Sequence, residues 1–219
     1  MNSTNVQQSD DVNLSAHSAA KRDAILRAAA QVFLTSGYGN ASMDQIAAAA
    51  GVSKQTVYSH FGAKDSLFEA IVKGKCAALM GEGAGFAMPG ESLEGVLRET
   101  AAKVLAVIMT NESIGLYRII LSEADRFPEL AEAFYRSGPN AAASRLAGFL
   151  AGAAEKGDII IDDPRRAADL FFAMLRDDLY LERLLNLRAA PDADEIDARA
   201  TVVARRFMQA HQSLAQNLQ

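Results

Sequence analysis

Lys54, Gln55, Thr56, Tyr58, Ser59 and His60 fall within seven consecutive residues, and each ends in a group that gives or exchanges a hydrogen bond. None is an acid. Donors at this density suit phosphate oxygens and the edges of bases. The chain offers catalysis no comparable set. His17, His60 and His211 are scattered between the amino terminus, this segment and the carboxyl end, and no HExxH, phosphate loop or nucleophile elbow is present. No catalytic residue, metal site or cofactor is predicted. The single cysteine, Cys76, excludes an internal disulfide and any multi-cysteine metal site, and sits in a helical pattern as a plain packed or half-exposed thiol.

The donors need elements to present them, and residues 42–61 supply two. Ser42 is a good N-cap, with Gln45 at the spacing of a capping box. Ile46 and Ala49, with the alanines between them, give a compact helix. Gly51 stops it, because glycine enters the left-handed region without steric cost. Val52 plugs the turn and Ser53 caps the next helix. There Val57 and Phe61, at i and i+4, form the inward face, which leaves the donors outside. The plainer alternative is a helical hairpin with a solvated surface, but such faces usually mix Glu with Lys. The pattern predicts DNA binding.

Residues 21–72 resemble the N-terminal domain of the TetR/AcrR family of transcriptional regulators. The resemblance runs through Ile25, Ala28, Ala29 and Phe33, Gly37-Tyr38, Gly51-Val52-Ser53, Thr56-Val57-Tyr58 and Phe61 to Lys64, Leu67 and Phe68. It implies a three-helix head whose third helix enters the major groove. Gln55, Thr56 and Tyr58 would then reach bases or the adjoining backbone, and Ser42, Lys54 and His60 would lie near phosphates. Ser53 and Ser59 share that surface. Lys64 would hold a phosphate or fix the recognition helix.

Length and charge agree with this reading. A chain of 219 residues makes one large or two small domains and can bury a sizeable core. No apolar run reaches the roughly 18 residues that cross a bilayer, and the polar amino terminus lacks the order of a signal peptide. The sequence therefore reads as soluble and cytoplasmic, without membrane association. The net charge of −5 is divided: residues 19–75 hold seven Lys/Arg against four Asp/Glu, a net +3, while residues 76–219 hold 15 against 21, a net −6. The basic excess lies where phosphate contacts would be made.

Punctuation divides the chain into a disordered tail at 1–18, a head at 19–79 and a body at 80–219. The head's first helix is expected at about 19–36 and its fourth at about 63–79. Glycine-dense residues 81–92 mark a loop. Helical patterns follow at about 92–110, 112–124, 127–137, 139–156, 164–187 and 193–216, separated among others by Gly138-Pro139. The run Asp158 to Asp162 reads as an extended link, not a strand. The predicted fold is all-α, with nine or ten helices.

Residues 117–140 are similar to the effector domain of the AefR-like subgroup of the same family, through Arg118, the run Glu123 to Leu130, and Phe134-Tyr135. Phe127-Pro128 ends one helix and starts the next, and scaffolding is the main use expected of this motif. The family resemblance implies homodimers joined through the last two long helices. Apolar spacing supports this, with Leu170, Met174, Leu181, Leu184 and Leu185 in one helix and Val202, Val203, Phe207 and Met208 in the other. Of these, Leu170, Met174, Leu181, Leu184, Val203 and Phe207 are assigned to the dimer face. Arg176-Asp177-Asp178 could set register across the dimer or approach the ligand cavity, and reads most simply as solvated. Phe86, Met109, Leu116, Tyr117, Ile120, Phe134, Phe149 and Phe172 are candidate lining of an effector cavity, each also readable as plain core. Their chemistry suits an apolar or amphipathic molecule.

The leading expectation is a ligand-responsive repressor that binds a palindromic double-stranded operator as a homodimer. The second is a DNA-binding protein of the same fold that senses no ligand and organises chromosomes or assembles with partners. An enzyme is the third and has least support.

Overall fold

Five helices begin on residues whose side chains suit the task. Ser42, Ser53, Ser92, Asp163 and Asp177 stand in extended backbone, and each accepts a backbone N–H from the first turn that follows. The computed structural model describes the backbone of residues 4–80 and 92–211, and side chains over 18–75 and 92–211. In order the helices are α1 (Thr4–Ser36), α2 (Met43–Ala50), α3 (Lys54–Phe61), α4 (Lys64–Met80), α5 (Leu93–Ile108), α6 (Asn111–Glu123), α7 (Pro128–Tyr135), α8 (Ala141–Glu155), α9 (Pro164–Met174), α10 (Asp178–Leu184) and α11 (Ala193–His211). The described residues contain no strand. The all-α fold is as the sequence predicts. No single helix among them is long and apolar enough to cross a membrane.

The described chain forms two compact units, one of residues up to Ile71 together with Ile119–Ala133, the other of Val72–Arg118 and the residues from Phe134 onward. The sequence reading divides the chain at 79/80 and so leaves 119–133 in the body. In the first unit Ile25, Ala29 and Phe33 repeat every four residues along α1 and are fully buried with Tyr38, Ile46, Val57, Leu67, Phe68 and Leu130. Phe33, Tyr38 and Phe68 make a mutual ring cluster with centroids 5.4 to 5.8 Å apart, a geometry that adds to the area buried.

In the second unit α5 packs along α11 and α8 along α9. Ala101, Ala200 and Ala204 are fully buried in that core and let the backbones approach, while Phe171 meets Phe207 edge-on at 5.4 Å. Ile160 donates its N–H to the carbonyl of His211 and Ile159 is buried, so the isoleucine run is the expected extended link.

Four expectations differ from the structure. The helix of residues 19–36 begins at Thr4, within the stretch read as a disordered tail; extending a formed helix costs far less than nucleating one. The pattern at 164–187 is two helices, α9 and α10. Its break is the acidic cluster itself, because the Asp177 carboxylate accepts the N–H of Leu179 and starts α10 afresh. Gly138-Pro139 does not separate α7 from α8. A single π turn, Arg136–Asn140, carries the helix through the proline, its wider winding accommodating the ring and the missing N–H. Val203 and Phe207, assigned to a dimer face, are 9% and 1% exposed and belong to the core of the second unit. The glycine-dense loop, apart from Ser92, lies outside the described residues, as do Phe86 and the side chain of Cys76.

Candidate nucleic-acid interface

Local chemistry builds the helix-turn-helix as expected. Ser42 and Gln45 form a reciprocal capping box: the Ser42 hydroxyl accepts the Gln45 N–H at 3.2 Å and the Gln45 side chain accepts the Ser42 N–H at 2.8 Å. Gly51 closes α2 with φ of 66°. Ser53 Oγ accepts the Thr56 N–H at 3.1 Å and lies 2.8 Å from Thr56 Oγ1. Val57 is fully buried and Phe61 nearly so, and they clamp α3 by its inner face. Arg22 stands 5.4 Å from the Phe61 ring.

The outward face of α3 carries Lys54, Gln55, Tyr58 and Ser59, all exposed, with Thr56 and His60 half-buried beside them. Ser42 and Ser53 are also exposed, with their hydroxyls engaged in capping. Ser59 donates to the carbonyl of Thr56. Tyr58 is 44% exposed, and the Lys54 ammonium lies 5.9 Å from its ring. Asp44, which the sequence reading passes over, pairs with Lys54 at 2.8 Å. Hydrogen bonding to Asp44 raises the Lys54 pKa. The signal was legible: an acid in the first turn of α2 can meet a base in the first turn of α3.

Lys64 is half-buried and is engaged by the loop that leads into α2. Its ammonium donates to the carbonyls of Tyr38 at 2.7 Å and Ala41 at 3.1 Å, and burial lowers its pKa. The resemblance implies that it holds a phosphate or fixes the recognition helix; its hydrogen bonds go to the loop that precedes α2.

The predicted effector residues fall into separate groups. Tyr117 lies 5.6 Å from Phe134 and 6.0 Å from Tyr180, ring centre to ring centre, and all three are partly buried. Tyr180 was not anticipated; burial pushes its phenol up to about 12. Met109, Leu116 and Phe172 are buried, Phe149 is half-buried against the second unit's core, and Ile120 belongs to the first unit. A cavity of about 470 Å³ lies elsewhere in the second unit, with Met174, Asp177, Glu195, Arg199 and Val202 on its walls. None of the effector candidates lines it, whereas Met174 and Val203 from the dimer set do.

Two arginines organise this part of the second unit. Arg118 donates to the carbonyls of Leu184 and Arg183 at 2.8 and 2.7 Å, capping α10. Arg183 is 4% exposed and donates to the carbonyls of Arg188 and Met109 and to Asn111 Oδ1. Its Nε has no hydrogen-bond partner among the described residues. Apolar spacing passes over such a residue, because a helix rich in leucine hides a buried guanidinium.

Of the dimer candidates, Leu170 and Leu181 are 46% and 53% exposed, and Met174 and Leu184 are intermediate. Leu185 and Val202 are exposed as well.

The model of bacterial regulatory proteins of the tetR family matches residues 25–71, and that of the AefR-like transcriptional repressor C-terminal domain matches residues 95–213. The flavonoid-responsive regulator FrrA, whose structure is solved, is 35% identical with a TM-score of 0.71, over 90% of this chain and 99% of that one. The HTH-type transcriptional regulator UidR of Escherichia coli (strain K12) is 27% identical over 173 residues, 75% of this chain and 85% of that protein. The HTH-type transcriptional activator FasR of Mycolicibacterium smegmatis is 45% identical over 53 residues, only 24% of each chain.

Proposed function

This chain belongs to the TetR family of DNA-binding transcriptional regulators, and we propose that it is a repressor which binds a palindromic operator as a homodimer and is released by a small apolar or amphipathic effector. One observation carries the DNA-reading surface: Val57 and Phe61 are buried, so Gln55, Tyr58 and Ser59 must face outward on α3. Helices held in this way present donors to base edges in the major groove. The repressor direction is supported by the AefR-like repressor model over 95–213. The head alone does not set that direction, since it is also similar to an activator's.

The homodimer is supported by exposed leucines on α9, on α10 and at the C-cap of α10, where Leu170, Leu181 and Leu185 leave large apolar side chains uncovered. A two-fold protein asks for a two-fold operator, and cytoplasmic action follows from its target. The partly buried group of Tyr117, Phe134 and Tyr180 supports an effector with an apolar body and a few polar groups. That FrrA is flavonoid-responsive makes flat polyphenols the first compounds to try. An effector acts only through its different affinity for the operator-competent and released states.

Selection of DNA bound from a random pool tests the first part, with an inverted repeat expected. A panel of polyphenols and fatty acids then tests release in a band-shift assay. Enrichment of sites without two-fold symmetry would sink the operator reading. Operator binding that no compound weakens would favour a regulator without small-molecule sensing.

A further inference from the structure

Residues 119–133 are built into the DNA-binding unit through one corner. Glu123 Oε1 accepts the N–H of Gly39 at 3.1 Å. Phe127 meets Tyr38 edge-on, with ring centres 5.3 Å apart. The Lys64 ammonium lies 4.4 Å from the Tyr38 ring and 5.8 Å from that of Phe127, in addition to its two carbonyl bonds. A Cβ placed on Gly39 would stand 3.2 Å from Phe127 Cε2 and 3.3 Å from both Arg126 Nη1 and Glu123 Oε1. Such a Cβ would be closer than ordinary van der Waals contact, so a side chain at this position would have to displace the corner. Residues 37–41 run directly into Ser42, the cap of α2, and α2 packs on both α1 and α3. Whatever fixes this loop therefore fixes the angle of the recognition helix.

We propose that Lys64, Glu123 and Phe127 form a positioning clamp on the loop 37–41 that sets operator affinity through the orientation of α2 and α3, with Lys64 held away from the phosphates. The proposal rests on α3 being the recognition helix. Two of the three ammonium donors are spent on carbonyls. The cation is also partly desolvated against two rings, where it is held more strongly than in water, so a move toward a phosphate would cost these contacts. Orientation matters because base readout depends on hydrogen-bond direction as well as distance.

The experiment compares the full chain with Lys64→Met, Phe127→Leu and Gly39→Val. It measures affinity for the selected operator from low to moderate salt, below each variant's thermal midpoint. Each folded variant should bind roughly tenfold more weakly, the scale on which one misdirected side chain at a base edge weakens binding. The salt slope should stay at the wild-type value. Lys64→Met combined with Phe127→Leu should weaken binding by less than the product of the single effects, since both break one clamp. A slope shallower by about 0.9 per head in Lys64→Met would make Lys64 a phosphate contact and overturn the clamp. Wild-type affinity in folded variants would overturn it too, leaving the corner a merely structural contact. If Lys64→Met does not fold, Phe127→Leu and Gly39→Val decide by affinity, and wild-type binding in both would overturn the clamp. A wild-type chain that enriches no DNA sequence would remove the recognition-helix reading and the clamp with it.

Discussion

The phenol of Tyr38 donates to the carboxylate of Asp65, joining the loop after α1 to the first turn of α4. Tyr38 is 1% exposed and its ring touches Phe33, Phe68 and Phe127. Burial first, and then the Asp65 hydrogen bond, push its phenol far above the usual tyrosine range. The ring should therefore matter more than the hydroxyl. Tyr38→Phe keeps the ring packing and removes one charge-assisted hydrogen bond, so it should cost about 1–2 kcal/mol. Tyr38→Ala opens a cavity among three phenylalanines and should cost about 3–5 kcal/mol. Urea denaturation followed by circular dichroism checks both, and equal destabilisation would refute the ranking.

Asp44 holds Lys54 at 2.8 Å on the surface that would face DNA, and both side chains are largely exposed. Such a pair contributes little to folding, yet on that surface it would place a negative charge beside the phosphates. Asp44→Asn should leave stability within about 0.5–1 kcal/mol, the effect of removing an acid from a helix N-terminus. Operator affinity should rise several-fold, most at low salt, as Lys54 becomes free to meet a phosphate. Tyr58→Ala on the same face should do the opposite, weakening operator binding with little change in melting. Fluorescence anisotropy across a salt series checks the pair; unchanged affinity in both variants would remove this face from the interface.

What was legible in the sequence was local. Ser42, Gln45, Gly51 and Ser53 act within one helical turn of themselves, so their types and spacing are enough to place α2 and α3. Glu123 and Phe127 act across more than eighty residues, on Gly39 and Tyr38, and no spacing rule reports that. Asp177 is an intermediate case. An acid before an apolar run is a helix-start signal, but inside a longer helical pattern it reads as a solvated charge. Pro139 reads as a break because a π turn has no sequence signature beyond the proline it accommodates. On α11, adjacent Val202 and Val203 both look apolar, and only the packing of α5 decides that Val203 goes inward and Val202 out.

That difference in facing separates two kinds of variant. Leu181 and Leu185 are 53% and 59% exposed, whereas Phe207 is 1% exposed. Leu181→Arg and Leu185→Arg should shift the protein toward monomers in sedimentation velocity while each protomer keeps its helical circular dichroism. Phe207→Ala should cost about 3–5 kcal/mol through the cavity it leaves against Phe171, with association failing only as folding fails. A persistent dimer in both arginine variants would place the interface elsewhere.

Tyr180 offers a test of burial that reads out through pH. Desolvation is the main cause that pushes its phenol up from 10.0 to about 12, with Tyr117 adding to the rise and Arg176 opposing it. Above pH 10 the unfolded chain releases this proton while the folded chain keeps it, so the folded state binds more protons and stability falls as pH rises. The fall amounts to about 1.4 kcal/mol per pH unit at most, and ends near the folded-state value. Below pH 10 both states hold the proton and the residue adds no pH dependence. Tyr180→Phe removes the titration and keeps the ring near Tyr117. Urea unfolding at pH 9 and pH 11 should show the wild type losing on the order of 1 kcal/mol more than Tyr180→Phe over that interval, after allowance for water reaching a partly buried phenol. Parallel declines in the two proteins would mean that Tyr180 titrates as it does in water, and that the Tyr117, Phe134 and Tyr180 group is open to solvent.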